Sequence, residues 1–418
     1  MKNDSWSLAV EMVSEFLRKP ARLSHLMERL PPDLDRGTRR TCQSLLYGTV
    51  RHLSLLQKAL GECLRKRPKP PVMACLLVAS LELMQRPENK AKIVHFAVGK
   101  MGRRFGPPQK SLANAVLRKV SLRLPELLSG GADTAEDMSW RYSHPQWLVQ
   151  RFLDQFGKED AQALLRWNQR EAEVFARWQG EPEPSGALDE TQWSGFFRVR
   201  REGWAEVERL LQEGRLYVQN PGARIAPELL AQGFSGGRVL DLCSAPGGKS
   251  LLIDSLLGPE LEEIVAFDLA GPRFEKMLEN LRRYRSRRIR AVAGDVESLS
   301  PEALGTFEAV LLDTPCSNTG VLQHKVDARW RLKPEDLQAL TELQLRFLKR
   351  AAPCVADGGA LIYSTCSIDR EENEAVVERF LESAEGRGFV IESGVVSMPW
   401  VHGHDGSGAF RMRREGPA

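Results

Sequence analysis

From Trp6 to about Leu128 apolar residues recur at helical spacing; Leu45, Leu46, Val50, Leu53, Leu56 and Leu60 follow a 3.6-residue period. Breaks at Pro31 and Pro32, at the run from Arg65 to Pro71 and around Gly106, Pro107 and Pro108 divide the region into antiparallel helices. Residues 1–130 are therefore expected to form an all-α bundle. The polar stretch from Ser129 to Met138 reads as a linker. Residues 140–215 carry helix-like stretches at Pro145 to Phe156 and Asp160 to Ala172, broken by GEPEPSG at 180–186, and are expected to be a small α+β middle domain. From residue 216 onward short β-rich runs alternate with helical ones, the pattern of a parallel sheet with crossover helices. Strands are expected at Arg238 to Leu242, Ile264 to Asp268, Ile289 to Asp295, Phe307 to Asp313 and Ala360 to Thr365. Helices are expected at Gly248 to Leu257, Pro272 to Tyr284 and Pro334 to Ala352. The fold class is multidomain, closing with an α/β, Rossmann-like domain over 216–418.

Charge divides along the same line. Residues 1–130 hold 24 basic and 10 acidic side chains, a net +14, while the rest hold 35 and 45, a net −10. Such asymmetry suggests a basic module that meets a polyanion and a second module with other work. At 42% apolar and 27% charged residues the composition is that of a globular protein. The longest apolar stretch, Val72 to Met84, is interrupted by Ser80 and Glu82 and falls short of the ~20 residues of a spanning helix. The N-terminus lacks an apolar signal core, so a cytoplasmic location is expected. The seven cysteines are scattered without a CxxC pair, so no metal site is expected. Cys42, Cys63, Cys75 and Cys354 lie in apolar helical runs and read as core filler.

Polar residues collect at the ends of the expected strands: Asp241 to Lys249 after the first, Asp268, Asp295, Asp313 to Ser317, and Cys366 after the fifth. Ligands bind outside the carboxyl ends of strands in open parallel sheets, so these residues are expected to form one site. The loop DLCSAPGGKS offers Gly247 and Gly248 for close backbone approach and a helix N-terminus behind them, yet it is neither GxGxxG nor a P-loop. Asp268 is placed to accept ribose hydroxyls, which favours a nucleoside-type cofactor over a bare phosphate. Cys316 in DTPCS and Cys366 in STCS are flanked by small polar residues. Each is a candidate thiolate nucleophile, with Lys249 as a stabilising cation.

DLCSAPGGKS, GDV at 294–296, LLDTPCSNTGV at 311–321 and YSTCSIDREEN at 363–373 resemble, in order and spacing, the motifs of the Sun family of RNA cytosine-5 methyltransferases. RRTCQSLLYGTVR from Arg39 to Arg51 and SLANAVLRKV from Ser111 to Val120 resemble the NusB-like RNA-binding domain that precedes the catalytic domain in the bacterial ribosomal RNA members. The resemblance implies S-adenosylmethionine as cofactor. By motif position Cys243, Ser244, Ala245, Pro246, Gly247, Gly248 and Lys249 would line its methionine side, Asp268 its ribose and Asp295 its adenine. Asp313 would border both cofactor and target base. The resemblance also assigns Cys366 as the nucleophile and Cys316 as the thiol that assists release, with Asp313 and Lys249 beside them. On sequence chemistry alone Cys316 is the stronger candidate, because DNA cytosine methyltransferases attack from a Pro-Cys motif.

The substrate implied is RNA, foremost 16S ribosomal RNA, with transfer RNA as an alternative target and a non-catalytic ribosome-assembly factor as the alternative class. A monomer is expected. YVQNPGAR at 217–224 and FARWQG at 175–180 depart from the family's YVQDEAS and LRVN, which bears on the target and not on the chemistry. The arginines from Arg282 to Arg290 read as a hold on RNA phosphates or, equally, a solvated helix end. Arg329, Trp330 and Arg331 read as a grip on RNA near a flipped base, with a core anchor as the other reading of Trp330.

Overall fold

A computed structural model describes residues 4–416. The chain divides into two compact units. One contains the chain up to Arg170 together with Leu322–Leu332; the other contains Glu171–Val321 and the chain from Lys333 onward.

The first unit is helical. The apolar period read from Leu45 to Leu60 is carried by two consecutive helices, Arg36–Arg51 and Leu53–Gly61, and all six residues are buried. They pack with Trp6, Phe16, Leu76 and Val120 in one core. Helices at Pro70–Gln85 and Pro107–Ser129 start at prolines, which suit the first helical turn because its N–H groups have no partner within the helix.

Three expectations change here. The polar stretch at 129–138 is not a linker throughout, because Thr134 and Asp137 form a capping box that starts a helix at Ala135–Arg141. The proposed middle domain at 140–215 is divided. Its helical part, Gln146–Gln169 with a break at Gly157, belongs to the helical unit, and the rest belongs to the other. Arg329 is structural rather than a grip on RNA, and Trp330 takes its other reading, that of a core anchor. Arg329 is fully buried and donates to the carbonyls of Ser143 (3.3 Å), Asn168 (3.3 Å) and Leu322 (2.7 Å), while Trp330 Nε1 donates to Val50 O at 3.1 Å. Arg331 pairs with Asp327 at 2.8 Å. An arginine suits three converging carbonyls because its guanidinium is all donors.

The second unit contains two sheets. The smaller is antiparallel, built from β1 (Phe175–Trp178), β2 (Leu188–Glu190), β3 (Phe196–Val199) and β4 (Leu216–Val218) in the order β2-β3-β1-β4. The larger contains β5 (Gly237–Leu242), β6 (Leu261–Asp268), β7 (Ile289–Ala293), β8 (Phe307–Asp313), β9 (Val355–Thr365), β10 (Phe389–Ser397) and β11 (Ser407–Arg414). Their order is β10-β11-β9-β8-β5-β6-β7. The five strands from β9 to β7 are parallel, whereas β11 runs antiparallel between β9 and β10.

All five expected strands form, and both faces of the sheet are covered by apolar cores, one around Val310, Tyr363 and Phe380, the other around Val239, Ile264 and Met277. β10 and β11 went unread. β10 is interrupted by a bulge at Ile391/Ser393, and β11 carries Arg411, Arg413 and Arg414, which resemble a solvated tail. Arg411 is nonetheless buried, paired with Glu392 at 2.8 Å and donating to Leu229 O at 3.1 Å.

Among the described residues no helix is long and apolar enough to cross a membrane.

Candidate active site

Chain order reverses across the sheet between β5 and β8, a switch point of the kind outside which ligands bind in open parallel sheets. The residues expected at one site, from Asp241 to Lys249, Asp268, Asp313 to Ser317 and Cys366, all follow or end strands on this edge.

The loop after β5 is held from several sides. Cys243 adopts a left-handed backbone, φ 58°, and the chain then turns through Gly247, φ 93°, into the helix Gly248–Leu257. The Ala245 amide donates to Asp268 Oδ2 at 2.8 Å, and Asn280 Nδ2 donates to Pro246 O at 2.8 Å. Asp268 Oδ1 accepts from the Leu269 amide at 2.7 Å, so this carboxylate fixes both loops while each oxygen keeps a second lone pair. Asp295 is exposed and caps its own turn through Glu297 N at 2.9 Å.

From the small sheet, buried Arg177 donates to Gly248 O at 3.3 Å and lies over the Tyr217 ring. Tyr217 Oη would lie 2.9 Å from a Cβ at Gly248, so only glycine permits this approach. Sequence reading missed Arg177 and Tyr217, although both lie in the segments where the chain departs from its family.

Beneath the loop, Asp241 is fully buried. Its Oδ2 accepts from Ser250 Oγ at 2.5 Å and its Oδ1 has no partner. Burial pushes its carboxyl up to about 7. Lys249 Nζ lies 2.6 Å from Asp313 Oδ1. Burial opposes the lysine's charge, but Asp313, with help from Cys366 and Asp241, more than offsets it and raises the lysine above its ordinary value.

The two cysteines expected to react come together. β8 and β9 are adjacent parallel strands with Asp313 opposite Ser364, and Cys316 and Cys366 follow closely after them. Their sulfurs are 3.0 Å apart, within hydrogen-bonding distance. Cys366 Sγ also lies 3.3 Å from Asn318 Oδ1, and Asn318 Nδ2 donates to Cys316 O at 2.8 Å. The hydrogen bond with Cys366, and then burial, hold the Cys316 thiol well above the ordinary range. Burial also raises the Cys243 thiol, followed by the Asp268 and Asp313 charges, so Cys243 stays protonated. Cys42, Cys75 and Cys354 are buried as expected, and Cys63 is half-buried against the helical core.

The cysteine loops are pinned by backbone. Gly320 N donates to Cys366 O at 3.1 Å, Gly406 N donates to Gly320 O at 2.8 Å, and a Cβ on Gly320 would lie 2.9 Å from Cys366 O. Below them Ser317, Thr319, Ser367, Asp369, Glu372 and Asn373 form a buried hydrogen-bonded network that sequence reading did not anticipate.

The donor set fits S-adenosylmethionine. A free helix N-terminus at Gly248 suits a carboxylate, and the unpartnered, buried Asp241 Oδ1 is an acceptor awaiting a donor. Asp268 and Asp295 supply further acceptors for hydroxyl and amino groups.

Comparison with known proteins agrees with the layout. Residues 230–393 match the family model of 16S rRNA methyltransferase RsmB/F, and residues 7–122 match the NusB family. Ribosomal RNA small subunit methyltransferase B of Shigella boydii is 30% identical over 90% of this chain and 89% of its own. The protein of that name from Cronobacter sakazakii is 29% identical over 96% of both. The crystal structure of PH0851 superposes with a TM-score of 0.77 over 99% of both chains at 20% identity, a likeness of fold.

Proposed function

The chain belongs to the RsmB/F family of 16S rRNA methyltransferases, which use S-adenosylmethionine, and from that premise we propose that it methylates carbon 5 of a cytosine in cytoplasmic 16S ribosomal RNA through a covalent Cys366 adduct. The observation that carries the reading is the 3.0 Å pair of sulfurs at the ends of β8 and β9, beside the Lys249–Asp313 ion pair.

Carbon 5 of cytosine is a poor nucleophile. Addition of the Cys366 thiolate to carbon 6 forms an S–C bond and shifts the 5,6 double-bond electrons into an enamine, dividing one hard step into easier ones. The Lys249 ammonium favours the thiolate. Charge arriving at ring nitrogen 3 is met by a proton that the Lys249 ammonium passes through the Asp313 carboxylate and recovers when the adduct breaks down. The bound cofactor supplies an electrophilic methyl group for carbon 5. At release the carbon 5 proton passes to water, its electron pair re-forms the double bond, and the S–C6 bond breaks to return the Cys366 thiolate. Cys316, kept as a thiol by its hydrogen bond and its burial, donates to the departing sulfur. A cytosine within a duplex stack cannot reach such a site, so the target base must be unpaired or flipped.

The net +14 of residues 1–130, which contain the NusB-matching stretch 7–122, supports capture of RNA there. Incubation with labelled cofactor and separate pools of 16S rRNA, transfer RNA and DNA tests the proposal. Label confined to 16S rRNA, mapped by bisulfite sequencing to one cytosine, is the expected result. Label in transfer RNA alone would reassign the substrate, and no label in any pool would favour a binding factor.

A further inference from the structure

Glu372 is a fully buried carboxyl in the short turn Arg370–Glu372, and it touches neither reacting sulfur. Its Oε1 accepts from the Ser317 amide at 2.9 Å and from Gln344 Nε2 at 2.9 Å, while its Oε2 accepts from the Ser317 hydroxyl. Gln344 Nε2 also donates to Pro315 O at 3.0 Å. The residues on both sides of Cys316 are therefore gripped by one carboxyl and one amide. The Glu372 carbonyl accepts from Tyr363 Oη at 2.6 Å, which anchors the clamp to β9, the strand that leads into Cys366.

Folding alone does not call for an acid here. None of these hydrogen-bond partners is a cation, and Asp369, also buried, approaches the same Ser317 hydroxyl at 3.4 Å. Burial, and then the Asp369 charge, push the Glu372 carboxyl above its usual range. A buried carboxyl without a counter-ion is costly, and an apolar residue of similar volume would be cheaper. What the acid provides is an acceptor for the Ser317 amide and hydroxyl together. With both taken, the backbone that carries Cys316 has little freedom to rotate.

We propose that Glu372 is the positioning residue for Cys316, holding its sulfur in hydrogen-bonding reach of Cys366 through the Ser317 amide and hydroxyl so that the covalent RNA adduct is released. The inference rests on the reading of Cys366 as nucleophile and Cys316 as the thiol that assists its departure. Methyl transfer itself does not need the clamp; breakdown of the adduct does.

The test compares Cys316→Ala, Glu372→Ala and Glu372→Gln in the full chain, with 16S rRNA and S-adenosylmethionine. Thermal melts and cofactor binding check that each variant is folded. Covalent protein–RNA adduct is read on denaturing gels, and single-turnover methylation is measured beside steady-state turnover. Glu372→Ala should accumulate adduct as Cys316→Ala does, with steady-state turnover about ten-fold lower or worse and single-turnover methylation kept. Glu372→Gln retains an acceptor for the Ser317 amide and should restore release to within a few-fold. If Glu372→Ala does not fold, Glu372→Asp withdraws the carboxyl from Ser317 and carries the same expectation. A folded Ala or Asp variant that turns over without adduct, or that loses single-turnover methylation, overturns the inference when Cys316→Ala does trap adduct. If Cys316→Ala traps none, the roles assigned to the two cysteines are what fail.

Discussion

Lys249 Nζ and Asp313 Oδ1 are 2.6 Å apart, joining the first turn after β5 to the last residue of β8 across the switch point of the sheet. The same ammonium is favoured by the Cys366 sulfur. Replacing it with an uncharged chain removes the partner of a carboxylate and of a thiolate together. Lys249→Met should lower the methylation rate by roughly two orders of magnitude or more. The rising limb of its pH–rate profile should move to higher pH, because the thiolate loses its cation. A variant with the parental rate and profile would remove Lys249 from the chemistry.

The two thiols should fail in opposite ways. Cys366→Ala is expected to abolish methyl transfer and the covalent RNA adduct, whereas Cys316→Ala should form adduct that persists. Denaturing gels with labelled RNA distinguish the outcomes, and the reverse pattern would exchange the two roles.

Asp241 ties pH to stability. Its carboxyl is raised from 3.8 to about 7 by burial. The protonated form is the one the fold accommodates, so the stabilisation is present in full below about pH 4 and is lost as pH rises through about 7. At ~1.4 kcal/mol per pKa unit the loss is roughly 4 kcal/mol. Urea unfolding of Asp241→Asn between pH 4 and 8 should show that part of the slope gone. An unaltered slope would mean that another group carries it.

Arg329→Met should strip donors from three carbonyls in the helical unit and destabilise it by about 3 kcal/mol or more. Calorimetry should show the loss even without RNA. A melting temperature within a degree of the parent would contradict the structural role.

The arginine cluster divides in two. Arg288 pairs with Asp254 at 2.7 Å and Arg290 with Glu263 at 2.6 Å, whereas Arg282, Arg283, Arg285 and Arg287 are exposed. Arg282→Glu with Arg287→Glu should reduce the slope of log affinity against log salt by at least ~0.7 for each single-strand phosphate that the arginines no longer neutralise. An unchanged slope would identify the cluster as a solvated helix end.

Legibility followed physical contrast. β5, β6, β8 and β9 were readable because strands buried on both faces are continuous runs of Val, Ile, Leu and Ala, and polar residues at their ends break that texture. Cys316 and Cys366 stood out through their small polar neighbours, and their 3.0 Å meeting follows from adjacent parallel strands. β11 was hidden because Arg411 reads as surface until Glu392 and the Leu229 carbonyl are found around it. Arg329 was hidden likewise, since only tertiary structure supplies its carbonyls. Glu372 gave no signal beyond its place among other acids at 371–374, because burial of a carboxyl cannot be read from its neighbours in sequence.

The path of the chain through Leu322–Leu332 has a bearing on the order of synthesis. These residues complete the core of the helical unit, yet they leave the ribosome after the 151 residues Glu171–Val321 of the other unit. At ~5–20 residues per second the wait is on the order of ten to thirty seconds. Throughout it, the carbonyls of Ser143, Asn168 and Val50 lack the N–H groups that Arg329 and Trp330 later donate to them. The N-terminal module therefore cannot reach its final form first, although it is made first. It closes only after the chain has passed Cys316, so the last core residues of the basic module arrive behind the loop that holds that cysteine.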